Sequence, residues 1–308
     1  MDPQTDLSSK FYERYRDLYG PDFKNFLECI DRPLPESLRV NTLKATPEHV
    51  IDSLCSKGFG IDSLWDGRCI LVKEGPFSIA STNENLQGMI YIQGVAEMAV
   101  APQLGCHEGD RVWDMCAAPG GKTTHLAELM RGGGAILATD VSPEKIKALK
   151  NNIARLGVRN AIVMKKDARR LSTATRFDSI LLDAPCTGSG VMRKDPSRKS
   201  SRTMKDIFFM QSIQKGLLQR AASSVKEGGI LLYSTCSLEP EEDEMVVDWA
   251  LSNLPLKLTS LESSFLDISH AYANPFGIEL DKSIELAGRI HPFTNDTNGM
   301  FIARFKRI

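Results

Sequence analysis

The sequence lacks a long apolar run and lacks an excess of charge of either sign. No hydrophobic stretch approaches the roughly 20 residues that a membrane span needs, and the first residues, MDPQTDLSSKFYERYRDLYG, are too polar for a signal peptide. We therefore expect a cytoplasmic protein with no membrane partner. The 38 Lys and Arg residues balance 39 Asp and Glu residues, so the net charge of −1 does not by itself indicate a nucleic-acid partner.

The cysteines and histidines lack the spacing of a stabilising framework. There are seven cysteines, and an odd number without a secretion signal argues against a set of disulfides. No Cys-x-x-Cys pair occurs and the five histidines are far apart in sequence, so we expect no metal. A cysteine protease would need a histidine partner, and only His125 stands near any recognisable motif.

The chain changes its pattern along its length, which predicts two domains. Residues 1–75 read as a small α+β module with an N-terminal helical stretch, two strand patterns and a helix that begins at Thr46 and Pro47. From about residue 108, strand patterns alternate with helix patterns, which is typical of a parallel sheet covered by helices on both faces. We assign residues 76–308 to this second, catalytic domain.

The residues with chemical potential follow the strands of that predicted sheet. In parallel sheets, ligands bind beyond the carboxyl ends of the strands, where these side chains are expected to converge. They are Asp114 to Lys122, Asp140, Asp167, Asp183 to Cys186, and Cys236.

A glycine-rich turn in DMCAAPGGKTTHLAEL joins a predicted strand to a helix and admits three ligand classes. A nucleotide-triphosphate loop would need glycine where Cys116 stands, and a dinucleotide fingerprint is excluded because Gly120 and Gly121 are adjacent. S-adenosylmethionine remains. Asp140 could accept both ribose hydroxyls and Asp167 could meet the adenine amino group, although aspartate at a strand end also serves as a turn or cap residue.

Two cysteines follow two strand patterns, in LLDAPCTGSG and LLYSTCS. Methylation of carbon 5 of a pyrimidine needs covalent help, because that carbon is a poor nucleophile until a thiolate adds to carbon 6. Cys186 and Cys236 are both candidates for this thiolate, with Lys122 as a cation that lowers the thiol pKa. The alternative is that both are small residues packed at strand ends.

These motifs resemble those of the Sun/Fmu family of RNA cytosine-5 methyltransferases. The resemblance rests on DMCAAPGGKTTHLAEL, ATDVSPEKIKAL, DAPCTGSG and LLYSTCSLEPEEDE, and it extends from RVNTLK to RIHPFTNDTNGMFIARFK. It implies a Rossmann-like methyltransferase sheet preceded by a small RNA-recognition-like module. It also implies RNA as the partner, with tRNA favoured over ribosomal RNA, and we expect the chain to act as a monomer.

The resemblance also implies individual roles. It selects Cys236 as the nucleophile and Cys186 as the residue that assists product release, with Asp183 and Lys122 activating the nucleophile and holding the base. The residues implied to hold S-adenosylmethionine are Cys116, Ala117, Ala118, Pro119, Gly120, Gly121, Lys122, Asp140, Lys145, Asp167 and Asp183.

Two other functions stay open, together with one surface hypothesis. The chain could be a non-catalytic RNA-binding assembly factor that keeps the fold, although its two cysteines argue against this. It could also methylate an exocyclic amine, which needs no covalent catalysis. The basic stretch from Arg193 to Lys205 is expected to contact the RNA backbone, unless it is only a solvated charged loop.

Overall fold

The computed structural model describes residues 7–172 and 175–308. Its α-helices are α1 (Leu7–Tyr19), α2 (Phe23–Ile30), α3 (Pro47–Ser56), α4 (Asn83–Leu86), α5 (Val95–Met98), α6 (Gly121–Leu129), α7 (Pro143–Leu156), α8 (Met204–Ser224), α9 (Glu244–Asn253) and α10 (Pro292–Asn295). Its strands are β1 (Glu36–Val40), β2 (Gly60–Leu64), β3 (Cys69–Glu74), β4 (Ile90–Ile92), β5 (Arg111–Asp114), β6 (Ala135–Asp140), β7 (Ala161–Lys165), β8 (Phe177–Asp183), β9 (Val225–Thr235), β10 (Leu256–Thr259), β11 (Ser269–His270), β12 (Gly288–Ile290) and β13 (Met300–Arg307).

The chain forms two compact units, and one of them is built from two segments that are far apart in sequence. One unit is the continuous segment Pro35–Leu181, and the other combines the chain up to Leu34 with everything from Leu182. Within the described residues, no helix has both the length and the apolar character that crossing a membrane requires.

The unit of residues 35–181 begins with a four-stranded antiparallel sheet in the order β2-β3-β1-β4. Helix α3 begins as predicted, because the Thr46 side chain accepts a hydrogen bond from the backbone N–H of His49. Val50 and Leu54 of this helix pack with strand residues such as Leu38 in one apolar core. Because β4 belongs to this sheet, the sheet continues past residue 75, and the domain boundary drawn there stays a prediction.

The same unit contains the parallel strands that the sequence predicts. Strands β5, β6 and β7 pair in parallel, and β8 pairs in parallel with the other edge of β5. Helix α7 begins at Ser142, whose side chain accepts from the Lys145 N–H, and ends at Gly157 with φ of 74°. Each helix therefore starts where a parallel strand has ended, which gathers the loops at one edge of the sheet.

The second unit contains an antiparallel arrangement that the sequence patterns do not reveal. Strand β9 pairs along β13, which also pairs with β12 and β10. The adjacent glycines Gly228 and Gly229 would be expected from the sequence to end the preceding helix, but α8 already ends at Ser224 and both glycines lie inside β9. The backbone becomes extended at Val225, directly after α8. The Val225 side chain is fully buried, and its burial stabilises a strand that begins before the two glycines.

The N-terminal helices belong to this second unit. Phe11, Tyr15 and Phe26 are buried in an aromatic cluster that also includes Leu238. Aromatic contacts therefore hold the predicted N-terminal helical stretch, of which residues 1–6 lie outside the described residues. The Arg14 guanidinium forms buried ion pairs with Glu239 and Glu241, which anchors α1 to the segment that follows β9.

Candidate active site

The two cysteines at the ends of β8 and β9 lie side by side. Their sulfur atoms are 3.3 Å apart, and both residues are partly buried. The Cys236 sulfur, together with burial, raises the pKa of Cys186 well above its usual range. Cys186 is therefore a neutral thiol at physiological pH.

Backbone contacts bring these two cysteine loops together. The N–H of Ala184 donates to the Ser234 carbonyl at 2.8 Å, and the N–H of Gly190 donates to the Cys236 carbonyl at 2.9 Å. A Cβ at Gly190 would lie 2.7 Å from that carbonyl oxygen, so only glycine permits this approach. Beside the pair, the Asp183 carboxylate accepts a hydrogen bond from the Ser234 hydroxyl at 2.8 Å.

A buried carboxylate, Glu242, connects the residues that follow each cysteine. It accepts from the Thr187 N–H at 2.9 Å, the Gln214 side-chain amide at 3.1 Å and the Ser237 hydroxyl at 2.7 Å, and the Thr187 hydroxyl also donates to it. Burial raises the pKa of Glu242 to about 7 despite these donors. Sequence reasoning missed this residue because a run of acidic residues usually indicates a solvated surface.

The rest of the acidic run is also buried and paired. The Arg289 guanidinium contacts Glu244 at 2.5 Å and Asp243 at 3.2 Å, and it donates to the Leu238 carbonyl. Asp243 in turn accepts from the Thr235 hydroxyl at 2.5 Å. The segment LEPEEDE therefore forms a buried cluster of charged residues that stabilises the end of β9. The partners of this cluster, Arg14 and Arg289, are far away in sequence.

In the unit of residues 35–181, the glycine-rich turn follows β5 as predicted. Gly120 has φ of 107°, and a Cβ there would lie 2.8 Å from the Leu149 side chain, so both conformation and space require glycine. The peptide between Ala118 and Pro119 is cis. The N–H of Ala117 donates to the Thr139 carbonyl at 2.9 Å, which ties this turn to the end of β6.

The aspartates predicted to hold a ligand lie at the ends of the neighbouring strands β6 and β7. One Asp140 oxygen accepts from the Ala118 N–H at 3.1 Å and the other from the Ser142 N–H at 3.0 Å. Asp167 pairs with the Arg169 guanidinium at 2.7 Å, and this contact lowers the pKa of Asp167. Each Asp140 oxygen retains acceptor capacity, since a carboxylate oxygen has two lone pairs.

The polar side chains at this edge of the sheet fit an adenosine group. Asp140 and Asp167 are partly exposed acceptors on adjacent strands, which suits a ligand with vicinal hydroxyls and an amine. Lys122 opens α6, and the exposed Lys145 lies in the first turn of α7. The predicted loop of residues 116–122 and these aspartates belong to the unit of residues 35–181, whereas Asp183 and the two cysteines belong to the other unit.

The basic stretch is less available to a ligand than its sequence suggests. Arg193 is buried and donates to the carbonyls of Arg32 and Pro33, so it is a structural residue and not an RNA contact. Of the remaining cations, Arg198 pairs with Asp195 and Lys199 pairs with Asp31. Arg202 is half-buried and donates to the Thr187 carbonyl, so the predicted backbone contact depends on the two exposed lysines, Lys194 and Lys205.

Comparison with known proteins matches almost the whole chain. A family model described as 16S rRNA methyltransferase RsmB/F matches residues 101–306, and one described as the N-terminal domain of 16S rRNA methyltransferase RsmF matches residues 7–95. The human 28S rRNA (cytosine(4447)-C(5))-methyltransferase is 38% identical over 291 residues, which cover 92% of this chain and 35% of the human protein. Ribosomal RNA small subunit methyltransferase F of Shewanella piezotolerans is 34% identical over 92% of this chain and 60% of that protein.

Solved structures share the complete fold. A methyltransferase homolog protein from Pyrococcus horikoshii has a TM-score of 0.87 and 42% identity, and the match covers 97% of this chain and 94% of that one. NSun6 from Pyrococcus horikoshii, solved with SFG, has a TM-score of 0.84 and 25% identity over 97% of both chains. The predicted α/β fold class is therefore confirmed, with its Rossmann-like methyltransferase sheet and N-terminal module. The chain spans only 35–63% of the length of the curated relatives.

Proposed function

Because the chain belongs to the RsmB/F family of methyltransferases, which confirms the Sun/Fmu resemblance, we propose that it methylates carbon 5 of cytosine in RNA. The observation that carries this proposal is the pair of sulfur atoms 3.3 Å apart at the ends of two strands. Transfer to an exocyclic amine needs no thiol, and a non-catalytic assembly factor needs no pair of thiols in contact at one site. The cysteine geometry therefore favours carbon methylation over both alternatives.

The methyl donor in this proposal is S-adenosylmethionine, whose sulfonium supplies the transferable methyl group. Asp140 accepts hydrogen bonds from its ribose hydroxyls, and Asp167 accepts one from the adenine amino group. The backbone of residues 116–122, with Lys145 and Asp183, completes this binding set. The solved structure of the NSun6 relative with SFG supports a ligand of this kind in the family.

The two cysteines take successive roles in the proposed reaction. The Cys236 thiolate adds to carbon 6 of cytosine, carbon 5 then takes up the methyl group, and loss of the carbon 5 proton expels the thiolate. Asp183 and Lys122 hold the base and assist the attack. The neutral Cys186 thiol suits a later step, since a group with a raised pKa is a poor attacking thiolate.

The contact between the sulfurs gives a physical reason for this order. The hydrogen bond with Cys236 and burial are the two largest causes of the raised pKa of Cys186. Once Cys236 has formed its carbon–sulfur bond, its sulfur is a weaker hydrogen-bond acceptor, so Cys186 loses its proton more easily. Cys186 thus becomes able to assist proton removal only after the attack, when release of the product requires it.

The proposal also concerns the class of RNA that is methylated, tRNA or ribosomal RNA. The family resemblance favours tRNA, whereas the curated relatives are named for ribosomal RNA. The test incubates the protein with S-adenosylmethionine carrying a labelled methyl group and with purified tRNA or ribosomal RNA, followed by nucleoside mass spectrometry. Labelled 5-methylcytidine supports the proposal and its RNA source decides the class, whereas a labelled N-methylated nucleoside refutes it.

Matched cysteine variants complete the test. Cys236→Ala should form no 5-methylcytidine, whereas Cys55→Ala, which replaces an exposed cysteine outside the site, should retain wild-type turnover. Equal turnover of the two variants would remove the covalent mechanism from the proposal.

A further inference from the structure

A cavity of about 300 Å³ lies inside the unit of residues 35–181, between the β2–β3 turn and helix α6. Its distinctive side chains are Trp65 and Arg68 from the turn, and His125 and Arg131 from the helix and its end. The Arg68 guanidinium lies 5.5 Å from the centre of the Trp65 ring. The cavity therefore combines an aromatic surface with two exposed arginines, and nothing in the proposed reaction uses it.

The backbone around this cavity adopts an unfavourable conformation. Trp65 has φ of 52° and Arg131 has φ of 51°, and both lie in the left-handed region that favours glycine. Two of the five such non-glycine residues in the described chain thus line one cavity. A bulky tryptophan at a turn position suited to glycine suggests that its ring serves a purpose other than forming the turn.

A buried histidine adds an unused hydrogen-bonding atom. The His125 ring packs edge-on against Trp65 with 5.5 Å between ring centres, and within the described residues its Nδ1 has no hydrogen-bond partner. Burial and the charges of Arg39 and Arg68 lower the pKa of His125 well below its usual range, so the ring is neutral. The buried polar atom is a lining group that an incoming polar ligand could satisfy.

The charge of the lining favours an anion. Arg39 is buried and paired with Glu128, and this pair is neutral as a whole. Arg68 and Arg131 remain as two exposed cations at the cavity. Stacking on an aromatic ring, a neutral polar edge and cations for a phosphate are the three features that proteins use to hold one unpaired nucleotide.

We propose that this cavity binds an unpaired nucleotide of the substrate RNA, with its base against the Trp65 ring and its phosphate on Arg68 and Arg131. The inference rests on the proposed function, because it takes RNA as the substrate. It adds a second point of attachment, formed by the β2–β3 turn of the N-terminal module and the end of helix α6, that positions the RNA without contacting the reacting cytosine.

Trp65→Gly separates this role from a structural one. Glycine relieves the left-handed backbone, so the midpoint of urea unfolding should stay the same or rise, while RNA affinity falls about tenfold through the loss of one stacked base. Trp65→Phe should keep most of the affinity. Arg68→Ala should lower the slope of log affinity against log salt by about one, and Arg159→Ala, which replaces an exposed arginine of the same unit, should not.

The measurements use the full chain and the RNA pool that the wild type methylates, with S-adenosylmethionine affinity measured in parallel by calorimetry. Weaker RNA affinity and a higher KM at unchanged kcat and cofactor affinity support the proposal. If the wild type methylates RNA but Trp65→Gly and Arg68→Ala bind it normally, the cavity proposal is overturned and the proposed function stands. If the wild type neither binds nor methylates RNA, both proposals fail.

Discussion

Replacing Glu242 by glutamine or alanine tests how the two cysteine loops are held together. One Glu242 oxygen faces the Thr187 N–H and the Gln214 amide, and the other faces the hydroxyls of Thr187 and Ser237. A glutamine can keep its carbonyl toward the first two donors and turn its NH₂ toward the hydroxyls, which can both accept. Glu242→Gln should therefore preserve the loops.

Alanine cannot replace these contacts. Glu242→Ala leaves the Thr187 N–H buried without its acceptor and leaves the Gln214 amide with the Pro185 carbonyl alone, and each lost contact costs about 1–3 kcal/mol. We therefore expect the alanine variant to be about 2–4 kcal/mol less stable than the glutamine variant. The hydroxyls of Thr187 and Ser237 add little to this loss, because they can rotate toward other partners. Turnover should fall with it, since the residues that follow Cys186 and Cys236 lose their common anchor.

The difference in stability between the wild type and Glu242→Gln should depend on pH. The pKa of Glu242 is raised from 4.5 to about 7, so the folded state favours the protonated acid. Stability from this group is complete below pH 4.5 and is lost as the pH rises to about 7, whereas glutamine does not titrate. Glu242→Gln should therefore gain about 2–3 kcal/mol over the wild type between pH 5 and pH 8.

Urea unfolding of the wild type and both variants at a series of pH values measures these differences. Glu227→Gln, which changes an exposed glutamate of β9, controls for the loss of one surface charge. A stability gap between Glu242→Gln and the wild type that stays constant with pH would refute the argument. So would an alanine variant as stable as the glutamine variant.

Three further predictions concern the cysteines, the cofactor and the RNA. Cys186→Ala should accumulate a protein–RNA adduct that survives denaturing gels, because attack by Cys236 still occurs but release fails; an adduct in Cys236→Ala instead would reverse the two roles. Asp140→Ala should weaken S-adenosylmethionine binding by about 1.5–3 kcal/mol in calorimetry, the contribution of hydrogen bonds to a charged group, and unchanged affinity would remove this assignment. Replacing exposed Lys194 and Lys205 together by alanine should lower the salt slope of RNA binding by about two, and an unaltered slope would mean a merely solvated loop.

Local signals in the sequence predicted most elements of the parallel sheet. The cap at Ser142 and the left-handed Gly157 determine the ends of α7 through contacts within a few residues, so the sequence pattern is sufficient to find them. The pairing of β9 with β13 was missed because it joins residues such as Thr235 and Phe301, far apart in the chain. The same distant pairing explains why Gly228 and Gly229 lie in β9, although adjacent glycines commonly end a helix.

The candidate site shows the same division between local and distant information. The proximity of Cys186 and Cys236 could be expected because both follow strand patterns, and the structure brings their sulfurs together. The role of Glu242 could not be expected, because it depends on hydrogen bonds from Thr187 and Gln214, which lie on other segments of the chain. Likewise, Arg193 looked like an RNA contact until its distant carbonyl partners were known.

The division of the chain into a continuous and a discontinuous unit has a consequence for synthesis on the ribosome. The segment of residues 35–181 is continuous, so its own helices and strand pairs can begin to form before the later residues are synthesised. Arg14, in contrast, must wait for Glu239, which lies 225 residues later. The ion pair that anchors the first helix therefore forms only after 225 further residues have been synthesised, although its aromatic side chains can already pack on α2.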